Sequence, residues 1–83
     1  MRVNVLYFAS LRESLGLGAE SLQTSALTIG ELRSELMQRG CAYKEALSRD
    51  KIIRCALNQV MCAESDALVE DCEVAFFPPV TGG

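Results

Sequence analysis

The chain has no histidine and no tryptophan. Without histidine, the commonest general base and a common zinc ligand are both missing, so any chemistry must use carboxylates, thiols, amines or the chain terminus. No Cys-x-x-Cys pair occurs, because the four cysteines stand at 41, 55, 62 and 72. Neither a zinc knuckle nor a thioredoxin-like redox pair fits that spacing, and no metal site is expected. An excess of base is also lacking. Eight Lys and Arg against eleven Asp and Glu leave a net charge of −3, the wrong sign for tracking a nucleic-acid backbone. The longest apolar run, prolines included, is Val74–Val80, too short to span a membrane. Arg2 and Asn4 leave only a short apolar stretch near the start. That is too little for a secretory signal, so a cytoplasmic location is expected.

What remains is ordinary for a globular chain: 83 residues, 49% of them hydrophobic and 23% charged. That composition excludes a disordered tail or a fibre, and the length leaves room for one small domain. Free thiols are expected at all four cysteines, since nothing marks the chain as secreted. Cys55, in phase with Ile53 and Leu57, reads as buried. Cys72, in an acidic turn, reads as exposed. Five of the eleven acids (Glu64, Asp66, Glu70, Asp71, Glu73) fall within ten residues that hold no base. A solvated loop is the preferred reading, with steering toward a basic partner as the alternative.

Residues 2–9 alternate as a strand, with Val3, Val5 and Tyr7 on one side and Arg2, Asn4, Leu6 and Phe8 on the other. The charged and polar members mark the second side as outward, which leaves Leu6 and Phe8 on the open face. Ser10 to Glu13 matches a capping box for a short helix that Gly16 and Gly18 stop. Glu20–Thr24 reads as a short strand. Thr28 and Glu31 form a second capping box, and Ile29, Leu32, Leu36 and Met37 make one apolar face of a principal helix over 29–39. Glu35 and Arg39 are spaced as an i,i+4 ion pair, and Gly40 stands where a C-cap belongs. A further helical turn is predicted over Tyr43–Leu47. Strands follow at Lys51–Leu57, Val60–Ala63 and Glu73–Phe77, with a turn at Asn58-Gln59, and Leu68 anchors the acidic loop. Pro78-Pro79 ends the last strand. One main helix must then cover one face of a mixed sheet, an α+β architecture. The first and last strands hold four of the five aromatics, which suggests that they neighbour each other at the sheet centre.

The tail carries most information. Two prolines stiffen the exit from the last strand, and Val80-Thr81-Gly82-Gly83 follow, reaching roughly 13 Å if extended. The domain is therefore assigned to 1–79 and a projecting arm to 80–83. A carboxylate at such a tip becomes an electrophile once activated, for example as an acyl-adenylate. Glycine, with no Cβ, passes a narrow channel and leaves the acyl carbon open. Strand parity points the same way: Glu73, Ala75 and Phe77 share one face, and Val74 and Phe76 the other. A solvated Glu73 puts Phe77 on the exposed face with Leu6 and Phe8. Met61 joins them from the hairpin, giving an apolar patch of the kind that marks a partner surface.

Three segments together resemble the small, sulfur-carrying subunit of molybdopterin synthase over essentially the whole chain. They are Leu6-Tyr7-Phe8-Ala9 with Arg12-Glu13, Asn58-Gln59, and Glu73 through Gly83. The glycine usual in the turn before the last strand is missing near Cys72. The resemblance implies the ubiquitin-like β-grasp fold and a protein that is not an enzyme on its own. It also implies a path for the sulfur. An E1-like adenylyltransferase would spend ATP to adenylate Gly83. Sulfur delivered through a sulfurtransferase would then give a thiocarboxylate. The large subunit would take that sulfur into a cyclic pyranopterin, in an assembly of two small and two large subunits. No stably bound cofactor, nucleic acid or membrane is implied. Gly82 and Gly83 would carry the chemistry, and Phe8, Arg12, Met61, Phe77, Pro78, Pro79, Val80 and Thr81 would face the partner. Two other readings stay open: a ubiquitin-like protein modifier, or a sulfur carrier for thiamine or tRNA thiolation, and a cysteine-based redox or metal protein.

Overall fold

The computed structural model describes residues 1–79. The first strand, β1 (Arg2–Tyr7), buries Val3, Val5 and Tyr7 and leaves Leu6 half-buried on the other side. The alternation is that of a half-buried strand. Helix α1 (Ser10–Leu15) follows, but Ser10 does not cap it. Ala9 is the N-cap, at φ 53° and ψ −129°, and no side chain caps the helix. The chain reverses so sharply after β1 that the turn falls on Ala9's backbone, and Ser10 is already helical. Gly16, left-handed at φ 76°, ends α1 as expected, its N–H donating to the Arg12 carbonyl at 2.9 Å.

Strand β2 (Ala19–Gln23) runs antiparallel to β1. Helix α2 (Ile29–Met37) starts at Thr28, whose hydroxyl accepts from the Glu31 N–H at 3.2 Å. The Glu31 carboxylate accepts in return from Leu27 N–H at 3.3 Å, one residue further back than in a regular capping box. Ile29, Leu32 and Leu36 are buried, as the periodicity predicts.

The far end of α2 differs from expectation. The helix stops at Met37, and Gly40 instead precedes a third helix, α3 (Cys41–Ala46). Arg39 therefore lies beyond the helix and is not held one turn from Glu35. It pairs with Glu20 of β2 at 2.6 Å, while Glu35 accepts from the Thr24 hydroxyl.

Strand β3 (Arg54–Leu57) is shorter than the predicted 51–57 because Lys51 is used otherwise. Its N–H donates to Ser48 and its carbonyl accepts from Arg33, so neither joins the ladder. Asn58 and Gln59, both at positive φ (49° and 71°), turn the chain into β4 (Val60–Cys62). The Asn58 side chain then accepts from Glu73 N–H at 2.9 Å, tying the turn to β5 (Cys72–Phe77). Asp71, just before β5, adopts φ 61° at the turn where the resemblance led us to expect a glycine.

The strands form one mixed sheet in the order β2-β1-β5-β3-β4, with β1 and β5 parallel neighbours and β5 central. All three helices contribute to a core on one face, packing Leu11, Ile29, Leu32, Leu36 and Ala46 against Val3, Val5, Tyr7, Val74 and Phe76. One expectation fails here. Cys72 is buried, not exposed, because β5 begins at that residue and parity places it inward with Val74 and Phe76, opposite Val3. The acidic loop is solvated as expected at Asp66, Glu70 and Asp71, with Leu68 buried beneath it, but it is also tied back at two points. Glu64 is tied back by Arg33 at 2.6 Å and by Arg49, and Glu70 accepts from the Arg2 N–H at 2.8 Å.

Candidate functional site

The sheet's second face carries the candidate surface. Register places Ala19, Leu6, Ala75, Ala56 and Met61 side by side in one row across all five strands. Ala56 and Ala75 form a low floor at the centre, because a methyl side chain cannot rise above its neighbours. Met61 is 60% exposed on the edge strand, and Phe8 is 47% exposed just past the end of β1. Strand parity dictates this grouping, since residues two apart share a face.

The row lies one step from the end of β5, where Phe77 sits opposite Arg54 of β3. Phe77 is on the open face, as predicted, but half-buried and not fully exposed. A side chain on an interior strand is flanked from both sides, here by the ends of β1 and β3. Phe8 extends the β1–β5 pairing by one step, donating its N–H to the Phe76 carbonyl at 3.2 Å. Phe8, Phe77 and Arg54 thus converge where β5 gives way to the half-buried Pro78 and Pro79. Arg12 is exposed on α1 near the same end. Its side chain lies across Gly18, where an added Cβ would come within 3.1 Å of the Arg12 Nε. Phe8, Arg12, Phe77, Pro78 and Pro79 therefore share one end of the domain, and Met61 lies across the open face. Val80, Thr81, Gly82 and Gly83 lie outside the described residues.

Sequence reasoning missed Arg54. Its signal was available: the residue before a buried Cys55 must point outward, opposite Phe77. It also missed two polar clusters behind the core. Arg33 is only 3% exposed. It donates to the Leu47 carbonyl at 2.9 Å, the Ser48 carbonyl at 2.7 Å and the Glu64 carboxylate at 2.6 Å. Such a planar fork holds α2, the segment after α3 and the acidic loop at one point. Burial alone would raise the Glu64 pKa. The Arg49 and Arg33 hydrogen bonds and charges outweigh it and hold the carboxyl below its ordinary value.

The second cluster centres on Glu20. Tyr7 and Tyr43 both donate their hydroxyls to its carboxylate at 2.8 Å, and Arg39 binds it at 2.6 Å. Partial burial pushes the Glu20 pKa up, but the hydrogen bonds from Arg39, Tyr7 and Tyr43 prevail and lower it. Burial, and then the bond to Glu20, pushes the Tyr7 phenol upward. Both clusters organise the core side of the domain, and neither faces the open sheet. Among the described residues, no group of three or more Cys, Asp or Glu is placed to hold a metal ion. No helix among them is long and apolar enough to cross a membrane.

A mixed five-stranded sheet with its first and last strands paired in parallel, closed by helices on one face and open on the other, is a ubiquitin-like β-grasp domain. The profile of the ThiS family matches residues 5–83. The molybdopterin synthase sulfur carrier subunit of Haemophilus influenzae is 40% identical over 81 residues, covering 98% of this chain and 99% of that protein. The chain therefore belongs to the ThiS family. Among solved structures, SAMP1 from Haloferax volcanii is similar at a TM-score of 0.77 and 25% identity, with both chains fully covered. A chain from the complex of subunits 1 and 2 of the molybdopterin-converting factor from Helicobacter pylori is similar at a TM-score of 0.68. It is 26% identical, again with full coverage of both chains.

Proposed function

We propose that this chain is the sulfur carrier subunit of a molybdopterin synthase and works in molybdenum cofactor biosynthesis. The observation that carries the reading is the full-length likeness to such a carrier at 40% identity. The open apolar face supports it, with Phe8 and Phe77 near the end of β5 and exposed Met61 across the same face offering a partner apolar contact. The likeness to one chain of a two-subunit converting factor favours the synthase large subunit as that partner.

In this reading the domain is a handle of residues 1–79, and residues 80–83 are the arm. The Gly83 carboxylate is adenylated with ATP by an E1-like adenylyltransferase. A persulfide on a sulfurtransferase then displaces AMP, and a thiol reductant cleaves the resulting acyl disulfide to leave a C-terminal thiocarboxylate. The carrier contributes its terminal carboxyl group, and the reaction proceeds inside its partners. Phe8, Arg12, Met61 and Phe77 hold the handle against the large subunit. Pro78, Pro79, Val80 and Thr81 guide Gly82 and Gly83 into the large subunit's active site.

Intact-mass measurement after incubation with the activating enzyme, ATP and a sulfur donor tests this. One oxygen should be exchanged for one sulfur. The chain lacking Gly83 should fold normally but fail to pass sulfur to the large subunit. A folded variant with all four cysteines replaced should still gain the sulfur, because the carboxyl carbon carries it. An unchanged mass in the folded wild-type chain refutes the proposal. Conjugates to lysine side chains would identify a protein modifier instead, the reading that the likeness to SAMP1 keeps in view.

A further inference from the structure

We propose that Cys55 and Cys62 form an oxidisable dithiol, which closes a disulfide across the β3–β4 hairpin by exchange with small disulfides of the glutathione type. The two residues are direct register partners on adjacent antiparallel strands, and their Sγ atoms stand 3.5 Å apart. Directly opposed residues in such a pair have Cα atoms roughly 4.5–5.5 Å apart, inside the range of roughly 4.4–6.8 Å that a disulfide accepts. A bond of about 2.05 Å then requires the sulfurs to approach by about 1.5 Å, a side-chain adjustment. Neither other thiol is so placed. Cys72 pairs with Val3 at the far end of β5, four residues from Phe76, the register partner of Cys55. Four strand residues span roughly 13 Å. Cys41 is exposed at the start of α3.

The two thiols have unequal access, which sets the order of events. Cys62 lies half-buried on the sheet's edge strand, and Cys55 is buried. Burial pushes the Cys55 thiol up to about 12, with the bond to Cys62 adding to it. Burial also raises Cys62, but there the bond with Cys55 works in the opposite direction. Cys62 is therefore the sulfur that ionises and meets the oxidant first. Its thiolate attacks the small disulfide, forms a mixed disulfide and expels one small thiolate. Cys55 then gives up its proton and attacks the Cys62 sulfur, expelling the second. The dithiol loses two electrons and the small disulfide gains them, and the two released protons end on the two small thiols. Met61 alternates with Cys62, so the closed ring clamps the edge hairpin from the core side without turning Met61 from the open face. The inference is independent of the sulfur-carrier reading.

The folded full-length chain, equilibrated with oxidised glutathione, tests the idea. In the Cys41→Ser chain, which lacks the exposed thiol, intact mass should fall by two hydrogens with no glutathione retained, and peptide mapping should join Cys55 to Cys62. The wild-type chain should show the same bridge, with any retained glutathione confined to Cys41. Cys62→Ala, which is milder than replacing buried Cys55, should abolish the loss of two hydrogens. The oxidised chain should also unfold at higher urea than the reduced chain, and dithiothreitol should reverse the shift. A bridge through Cys41 or Cys72, a lasting glutathione adduct on Cys62, or Cys55 and Cys62 both still reduced in a folded chain would each overturn the proposal.

Discussion

Adjacent phenylalanines at the end of β5 should behave in opposite ways when truncated. Phe76 is fully buried, stacks on Tyr7 with ring centroids 6.5 Å apart at 18°, and lies between Tyr7 and Cys55 in the register. Phe76→Ala removes the ring from a packed site and should cost about 3–5 kcal/mol. A domain of this size holds roughly 4–12 kcal/mol in total. The melting temperature should therefore fall by at least about 12 °C. Phe77 is half-buried on the other face, opposite Arg54. Full burial of a large apolar side chain is worth about 1.5–3 kcal/mol, so Phe77→Ala should cost the monomer only about 1 kcal/mol. As an anchor in the synthase interface, the same truncation should weaken the large-subunit complex by about 2 kcal/mol or more, roughly 30-fold in Kd. Thermal melts of both variants, with titrations against the purified large subunit, separate the two effects. If Phe76→Ala does not fold, Phe76→Leu replaces it, with a smaller loss of stability and unchanged binding. A Phe77→Ala chain that melts as low as Phe76→Ala, or that binds like wild type, would refute the two-faced reading of β5.

Two further outcomes follow from the buried polar clusters. Arg33→Ala should destabilise the fold by about 3–5 kcal/mol in urea titrations, because it strips a buried charge-paired fork from Glu64 and from the carbonyls of Leu47, Ser48 and Lys51; a loss below about 1 kcal/mol would show that the fork does not staple the loops. Acid should unfold the chain through Glu20 and Glu64. Both folded pKa values are lowered, so their contribution is complete above the ordinary carboxylate value of 4.5 and fades as pH falls below it. Glu20→Gln should be less stable at neutral pH and lose less stability between pH 5 and pH 3 than wild type; parallel stability–pH curves would rule out a role for Glu20.

Local pattern alone determined most of what lies on the open face of the sheet. Alternation in residues 2–9 and 73–77 assigns Phe8 and Phe77 to one side and Val3, Val5, Tyr7, Val74 and Phe76 to the other, because the strand period of two leaves no other choice. Thr28 and Gly16 similarly mark helix ends through chemistry confined to one turn. The tail motif speaks through its own residues and needs no neighbours. Only the tertiary structure decided the rest. Arg39 and Glu35 have ideal spacing, yet both find partners across the fold, since α2 stops short to make room for α3. Arg33 looks like any surface arginine until three separate segments deliver carbonyls and a carboxylate to it. The acidic loop holds no base, but Arg33 and Arg49 reach it from residues far away in the chain. Cys72 changes from exposed to buried because β5 begins at that residue. The row from Ala19 to Met61 exists only because the strand order and register bring five distant residues abreast. The facing of Cys55 and Cys62 rests likewise on the pairing of β3 with β4. Periodicity gives each residue its side of an element; partners come from long-range contacts that no local window contains.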